Sequence, residues 1–375
     1  MGASQKRPSS RCAVLPPMRL LRHGLVLALA LAATAATRGN PSAKRDPLAA
    51  EIERWSGFLR THQSEDADWE QIKGIATPVM EDAAAALKSG RRLFALQRLA
   101  AARTLLSASL YAGERTERER QDEAAFEAEW ARMGKVLGPD LAPPSPSAFE
   151  GVLPAAVRAL GEAALPQIKI FYDTSLDYAR NTLPASGIFY IGEARAQQEF
   201  AAFARTLDER SAGVQPPLRS LASELDALEG RILAAYRPPA SIDKHAEFIG
   251  ASATLKEARE LDAAGLRYAA LLRYLQAAQR VSLLGAKKAP VDAAALRTFG
   301  ARLSAGGVDH SIGRLFLESA QADLAAAAAG AVPERASVIA SDVLPRYFAA
   351  LEPARPAAPR PAAAVTVTLV RWPYT

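Results

Sequence analysis

The chain has 375 residues, 49 % of them hydrophobic, with 46 basic and 40 acidic side chains and a formal net charge of +6. The first 35 positions hold five basic residues and no acidic one, so the remainder of the chain is close to neutral. Nucleic-acid-binding domains carry a strong basic excess, so nucleic acid is excluded as a partner. The single cysteine, Cys12, lies in the same segment, which predicts a mature chain with no disulfide, thiolate nucleophile or cysteine metal ligand.

The N-terminal segment has the order of charge and apolarity that is typical of a secretory signal peptide. Arg19 and Arg22 precede an apolar run over residues 24–33, and small residues follow it. With those small residues the run reaches about 13 positions, whereas a membrane-spanning helix needs about 20. We therefore predict a signal peptide over 1–36, cleaved near Ala35-Ala36. The expected product is periplasmic or secreted, with no membrane span after cleavage.

Beyond the leader, apolar residues recur at steps of three and four, the period of an amphipathic helix. Together with glycine, proline and capping residues, this period predicts helices over 46–62, 68–88, 91–112, 115–136, 149–163, 167–182, 185–209, 217–236, 243–263, 266–284, 291–304, 309–329 and 333–350. The predicted fold is an all-α array or bundle of about twelve antiparallel helices, in one domain over 37–351. Four prolines make 138–148 an irregular connection, at which that domain could divide.

The C-terminal end differs in composition from the helical part. Residues 352–364 are rich in proline, alanine and arginine, which predicts an extended tether rather than a packed element. Residues 365–370 alternate valine and threonine and have high β-propensity, so we predict one short strand within 365–375. Because an isolated strand is not stable, this strand is expected to pair with the chain's own body or with a partner.

Two segments that lie 175 residues apart share a pattern of glycine, arginine and small apolar residues. The matching sets are Gly90, Arg92, Ala95, Leu96, Arg98 and Ala102 in the first segment, and Gly265, Arg267, Ala270, Leu271, Arg273 and Ala277 in the second. Glycine can adopt the left-handed conformation that ends a helix, and alanine lets a following helix pack closely against the first. We therefore predict a helical hairpin in each segment, over about 68–110 and 243–283.

Both segments resemble the second half of a tetratricopeptide repeat, which has a glycine, an alanine five residues later, a large apolar residue after nine and an alanine after twelve. These positions are Gly90, Ala95, Leu99 and Ala102 in the first segment, and Gly265, Ala270, Tyr274 and Ala277 in the second. The resemblance implies stacked hairpins that present a concave surface to a partner peptide. Arg92 and Arg267 stand where that family favours an aromatic residue. The same small-residue spacing also fits ordinary helix pairs of an alanine-rich protein.

One stretch, residues 168–198, is unusually rich in polar and aromatic residues, and we call it the island. On a helix, Asp173, Asp177 and Arg180 fall on one stripe, because steps of three and four residues share a face. The following helix is expected to cross closely through Gly187 and Gly192 and to face those acids. The candidate contacts to a ligand or partner are Asp173, Asp177, Tyr178, Arg180, Tyr190, Glu193 and Arg195. In the alternative interpretation the island is a core hairpin, in which the acids pair with Arg180 and the tyrosines are packed inside.

The sequence contains no glycine-rich nucleotide loop and no nucleophile elbow. His62, His245 and His310 each lack a second histidine at metal-ligand spacing. We therefore expect no cofactor, no metal and no catalytic residue. The hypothesis that fits best is non-enzymatic binding of a partner protein or peptide in the bacterial cell envelope. The alternative is an enzyme or small-ligand receptor with a polar pocket between the helices of 167–182 and 185–209.

Overall fold

The computed structural model describes residues 46–63, 67–149, 153–207, 211, 213–239, 241–285, 293–327 and 333–353. The predicted signal peptide, the tether beyond residue 353 and the C-terminal strand lie outside these residues. Within the described part, no helix is both long and apolar enough to cross a membrane. Extended pairing there is limited to one isolated parallel bridge, between Val214 and Val308.

The described chain is a succession of α-helices, which confirms the all-α prediction. The helices are α1 (Pro47–Thr61), α2 (Ala67–Lys88), α3 (Arg92–Gly113), α4 (Glu117–Gln121), α5 (Glu123–Leu137), α6 (Ala155–Asn181), α7 (Pro184–Thr206), α8 (Ala222–Ala235), α9 (His245–Ala263), α10 (Arg267–Gly285), α11 (Ala293–Ser304), α12 (Ser311–Ala326), α13 (Glu334–Val338) and α14 (Leu344–Leu351). A π-helical turn, Ile339–Val343, joins α13 to α14.

The prediction of separate helices over 149–163 and 167–182 is wrong. They form one helix, α6, which continues through Pro166. Proline removes a backbone hydrogen bond and usually ends or kinks a helix. Here Leu165 and Ile168, on either side of the proline, are buried in the core. Tertiary packing therefore outweighs the local signal.

The prediction of one continuous helix over 115–136 is also wrong. The chain breaks at Asp122, whose carboxylate accepts a hydrogen bond from the Ala124 amide at 3.0 Å and begins α5. Aspartate is a strong N-cap because its oxygens satisfy the free amides of a first helical turn. The proline-rich connection that follows forms two short 3-10 turns, Gly138–Leu141 and Pro146–Phe149.

Both predicted hairpins are confirmed, and their turns have the same geometry. Gly90 and Gly265 have φ angles of 77° and 78°, in the left-handed region that favours glycine. After Gly90 the Arg91 amide donates to the Ala86 carbonyl at 2.9 Å, and after Gly265 the Leu266 amide donates to that of Leu261 at 3.0 Å. This is the hydrogen-bond pattern of a Schellman turn in both places.

An ion pair joins the two helices of each hairpin at the same position. In the first hairpin, α2–α3, Arg98 Nη2 lies 2.8 Å from Asp82 Oδ2. In the second hairpin, α9–α10, Arg273 Nε lies 2.8 Å from Glu257 Oε1. Both members of the second pair lie 175 residues after those of the first, the spacing of the sequence repeat. The two hairpins are therefore alike in turn, packing and surface charge.

The close crossing of α6 and α7 depends on Gly187, as predicted. A Cβ atom at that position would lie 2.7 Å from the backbone oxygen of Ser175 and 2.7 Å from the Ala179 side chain, both in α6. Gly192, one and a half turns later, instead faces α3, where a Cβ would lie 2.9 Å from the Ala108 carbonyl oxygen. Helix α7 is thus held tightly between α6 and α3.

Candidate functional site

The island forms the C-terminal half of α6 and the N-terminal half of α7. The acidic stripe of α6 lies on the protein surface: Asp173 and Asp177 are exposed, and so is Arg180. Asp173 pairs with Lys169 at 2.5 Å, and both side chains remain more than half exposed. This ion pair replaces the pairing of Asp173 with Arg180 that the core interpretation requires. The stripe therefore faces solvent.

An aromatic group lies beside the stripe. The rings of Tyr178 and Tyr190 are 4.5 Å apart, and those of Phe171 and Tyr190 are 6.2 Å apart. Tyr178 is 42 % exposed, whereas Tyr190 and Phe171 are partly buried. Burial, followed by a hydrogen bond with Tyr178, raises the pKa of Tyr190 to about 12. Tyr190 therefore stays protonated at neutral pH and supports the exposed ring of Tyr178.

Glu193 lies one turn after Tyr190 on α7. Burial raises the pKa of the Glu193 carboxyl to about 7. Desolvation disfavours the charged form of a carboxyl, and a strongly raised pKa is one mark of a functional position. Glu193 is consequently a group that can exchange a proton near neutral pH, next to a tyrosine pair.

Arg195 and the glutamines after it do not face the acids of α6. Arg195 pairs with Glu199 at 2.9 Å and lies 5.5 Å from the ring of Tyr111 in α3. The Gln197 amide lies 3.4 Å from the hydroxyl of Thr104, also in α3. The prediction that this part of α7 faces the acids of α6 is therefore wrong, because α7 packs against α3 at Gly192.

The raised pKa of Glu193 leads to a prediction about stability and pH. In the unfolded chain this carboxyl titrates near 4.5, so its neutral form is favoured in the fold at every pH between that value and about 7. Protonation of Glu193 therefore makes its whole contribution to the free energy of unfolding below pH 4.5, and that contribution is lost as the pH rises through 7. Glu193→Gln should therefore raise the free energy of unfolding at pH 8 by about 1 kcal/mol, after allowance for partial exposure.

Urea denaturation of both proteins at pH 8 and at pH 4.5 measures this effect. The difference between Glu193→Gln and the unsubstituted chain should shrink toward zero at the lower pH. An equal difference at both pH values would show that the carboxyl does not titrate in the predicted range.

The three histidines beyond the leader lie apart, each against aromatic rings. His62 stacks on Phe58 with ring centroids 4.6 Å apart. His245 Nδ1 lies 2.8 Å from the Tyr236 hydroxyl. His310 Nδ1 lies 3.0 Å from the Tyr347 hydroxyl, and burial lowers the pKa of His310. Within the described residues, no cluster of three or more histidine, cysteine, aspartate or glutamate side chains could hold a metal ion.

Two cavities are lined by residues other than the exposed stripe of the island, and the sequence indicated neither. One, of about 450 Å³, is lined by α3 and α10 together with their neighbours. The other, of about 560 Å³, is a more open depression lined by α8, α10 and residues 337–342. Asp342 borders the open depression and accepts hydrogen bonds from Ser282 at 2.7 Å and from Arg346 at 2.9 Å. Although burial opposes it, these bonds lower the pKa of Asp342, so the carboxylate serves to join helices.

Three comparisons with known proteins found no match to the chain. No family model matches it, and neither a curated protein nor a solved structure matches it. The resemblance to tetratricopeptide repeats therefore depends on the quoted residues alone. The fold class and the geometry of the individual sites are what support a function.

Proposed function

We propose that this chain is an exported, non-enzymatic protein of the bacterial cell envelope that binds a partner protein or peptide through the island. The observation that supports the proposal is the exposure of large side chains there. Ile170, Tyr178 and Leu183 are 42 %, 42 % and 50 % exposed, next to the charged stripe of α6. Large apolar side chains that are exposed close together in the chain are consistent with an interaction site, and tyrosine and arginine often carry most of the binding energy at interfaces.

The packing beneath this surface holds its side chains rigid, which favours binding. Tyr178 rests on Tyr190, and Gly187 holds α7 against α6. A surface that is rigid before binding loses less conformational entropy when the partner arrives. The exposed charges of Asp173, Asp177 and Arg180 lie on the same helix as Ile170 and Tyr178, and protein interfaces combine apolar with polar side chains. Export is proposed from the order of the N-terminal segment, arginines followed by an apolar run and small residues.

Affinity capture of partners by the mature chain tests this proposal. The double variant Tyr178→Ala/Arg180→Ala should weaken binding of the captured partner about tenfold or more, because each residue type typically contributes more than 1 kcal/mol where it is a hot spot. Both side chains are exposed, so the variant should fold normally.

The matched control is Leu233→Ala/Arg259→Ala, which also removes one large apolar and one arginine side chain, from α8 and α9. It should leave the affinity unchanged. Equal losses in both variants, or no loss in the island variant, would refute the assignment of the binding surface.

A second candidate function is favoured by Glu193. A carboxyl with a pKa of about 7 is suited to general acid or base work at neutral pH, so the island could belong to an enzyme or small-ligand receptor. A thermal-shift screen with a metabolite library separates this function from partner binding. A ligand at a hundred times its dissociation constant should stabilise the chain by about 2.7 kcal/mol, and Glu193→Gln should remove that effect. A flat response would eliminate this candidate.

A further inference from the structure

The cavity of about 450 Å³, which we call the hairpin cavity, lies between the two repeated hairpins. Equivalent positions of the second helix in each hairpin line it: Arg98 and Thr104 from α3 correspond to Arg273 and Gln279 from α10. Its size falls within the range of small-molecule pockets, roughly 300 to 1,000 Å³. The two similar hairpins thus contribute matching faces to one partly open space.

Part of the cavity wall is apolar. Phe94 from α3, Phe200 from α7 and Phe316 from α12 line it, and Leu160 and Ala164 of α6 complete this part. The three phenylalanines come from different helices, and each presents a small part of its ring to the space, since each is 3 % exposed. Apolar and aromatic walls with a few polar groups are typical of ligand pockets.

The polar part of the wall is positively charged. Arg98, Arg273, Arg280 and Arg335 line the cavity, and no aspartate or glutamate is among its described lining residues. The acids that pair with Arg98 and Arg273, Asp82 and Glu257, lie outside the lining. They hold the guanidinium groups in place and offset part of their charge, as Asp323 does for Arg335.

Hydrogen-bond donors exceed acceptors around this space. Arg98 uses Nη2 for its ion pair, and its buried Nε has no protein acceptor. The buried amide nitrogen of Gln279 likewise has none. On Gln276, the amide oxygen already accepts from Arg273 Nη1 at 2.8 Å, which leaves its nitrogen as a donor. A buried donor without an acceptor is destabilising, and a charged acceptor forms the strongest hydrogen bonds with arginine.

We propose that the hairpin cavity binds a small organic anion, with a carboxylate or phosphate on Arg98, Arg273 and Gln279 and an apolar body against the phenylalanines. This is a second site, distinct from the exposed stripe of the island: among its described lining residues only Gln197 belongs to the island, and that side chain faces α3. A neutral ligand of the same shape would accept only weaker hydrogen bonds from these donors, and a cation would be repelled by the arginines.

Isothermal titration of the mature chain with four eight-carbon probes tests the proposal: octanoate, octyl phosphate, octanol and octylamine. Octanoate or octyl phosphate should bind at least tenfold more tightly than octanol, and octylamine should bind least. Preference for octanoate or for octyl phosphate identifies the anionic group. Equal affinity for all four probes, or binding of none, would overturn the proposal.

Two variants locate the bound anion. Arg98→Gln should weaken binding of the preferred anion about 10- to 100-fold, the range for loss of a charged hydrogen bond, and leave octanol unchanged. The matched control, Arg259→Gln, removes an arginine that pairs with Asp226 away from the cavity and should have no effect. Ala101→Trp places a large side chain at an exposed lining position and should abolish binding of every probe. Unchanged anion binding in Arg98→Gln and Ala101→Trp would place the anion elsewhere and overturn the proposal.

Discussion

Replacement of Asp309 by alanine is expected to lower the free energy of unfolding by about 3 to 5 kcal/mol. The Asp309 side chain is completely buried. Its Oδ2 accepts hydrogen bonds from the Ala155 amide at 2.7 Å and the Ser211 hydroxyl at 2.8 Å. Its Oδ1 accepts from the Ser311 amide at 2.8 Å. One carboxylate therefore serves the first turns of both α6 and α12.

The loss is large because alanine would leave these donors buried without an acceptor. The amides at a helix N-terminus have no partner within the helix and need one from outside. Denaturation in urea, followed by circular dichroism, measures the change. The control Asp226→Ala removes an exposed carboxylate that pairs with Arg259, and it should cost less than about 1 kcal/mol. A similar, small effect in both variants would contradict the structural role of Asp309.

The substitution Gly187→Ala should lower the free energy of unfolding by about 2 to 3 kcal/mol. The added methyl group would lie 2.5 Å from the Phe126 ring as well as 2.7 Å from the Ser175 backbone oxygen. A backbone atom within a helix cannot turn aside as a side chain can. The helices α6 and α7 would therefore have to separate, which would open the most extensive helix pair of the fold.

The matched control for this prediction is Gly74→Ala, because the direction of its effect should be opposite. Gly74 lies on the exposed side of α2, and a Cβ there meets nothing within 4 Å. Alanine favours the helix over glycine by about 0.5 to 1 kcal/mol, so this variant should be more stable than the unsubstituted chain. Destabilisation by Gly74→Ala, or none by Gly187→Ala, would show that the close crossing of α6 and α7 is not as described.

Local features of the chain were predictable where a single residue determines the backbone conformation. Gly90 and Gly265 end their helices in the left-handed conformation, and the sequence repeat placed both turns correctly. The helix through Pro166 was not predictable, because neighbours distant in the sequence bury that segment and no local signal reports them. The role of Asp309 at the start of α6 was not predictable for the same reason. Asp309 is adjacent to α12 in the sequence, but it also caps α6, 154 positions earlier.

The island was predictable in composition but not in orientation. Helical spacing placed Asp173, Asp177 and Arg180 on one stripe, and the structure places that stripe at the surface. Whether the stripe faced a pocket or solvent depended on how α7 turns, which Gly192 decides through its contact with α3. The hairpin cavity depends on helices far apart in the chain, so the repeated arginines were visible in the sequence and the space between them was not.

Site-specific photocrosslinking in cells that produce the full chain tests partner binding by the island most directly. A benzophenone side chain replaces Asp177 in one variant and Leu233 in another; both positions are exposed, and only Asp177 lies in the island. After irradiation, the Asp177 variant should yield one adduct of defined mass with an envelope protein, and the Leu233 variant should not. No adduct at Asp177, or the same adducts from both positions, would contradict the proposal.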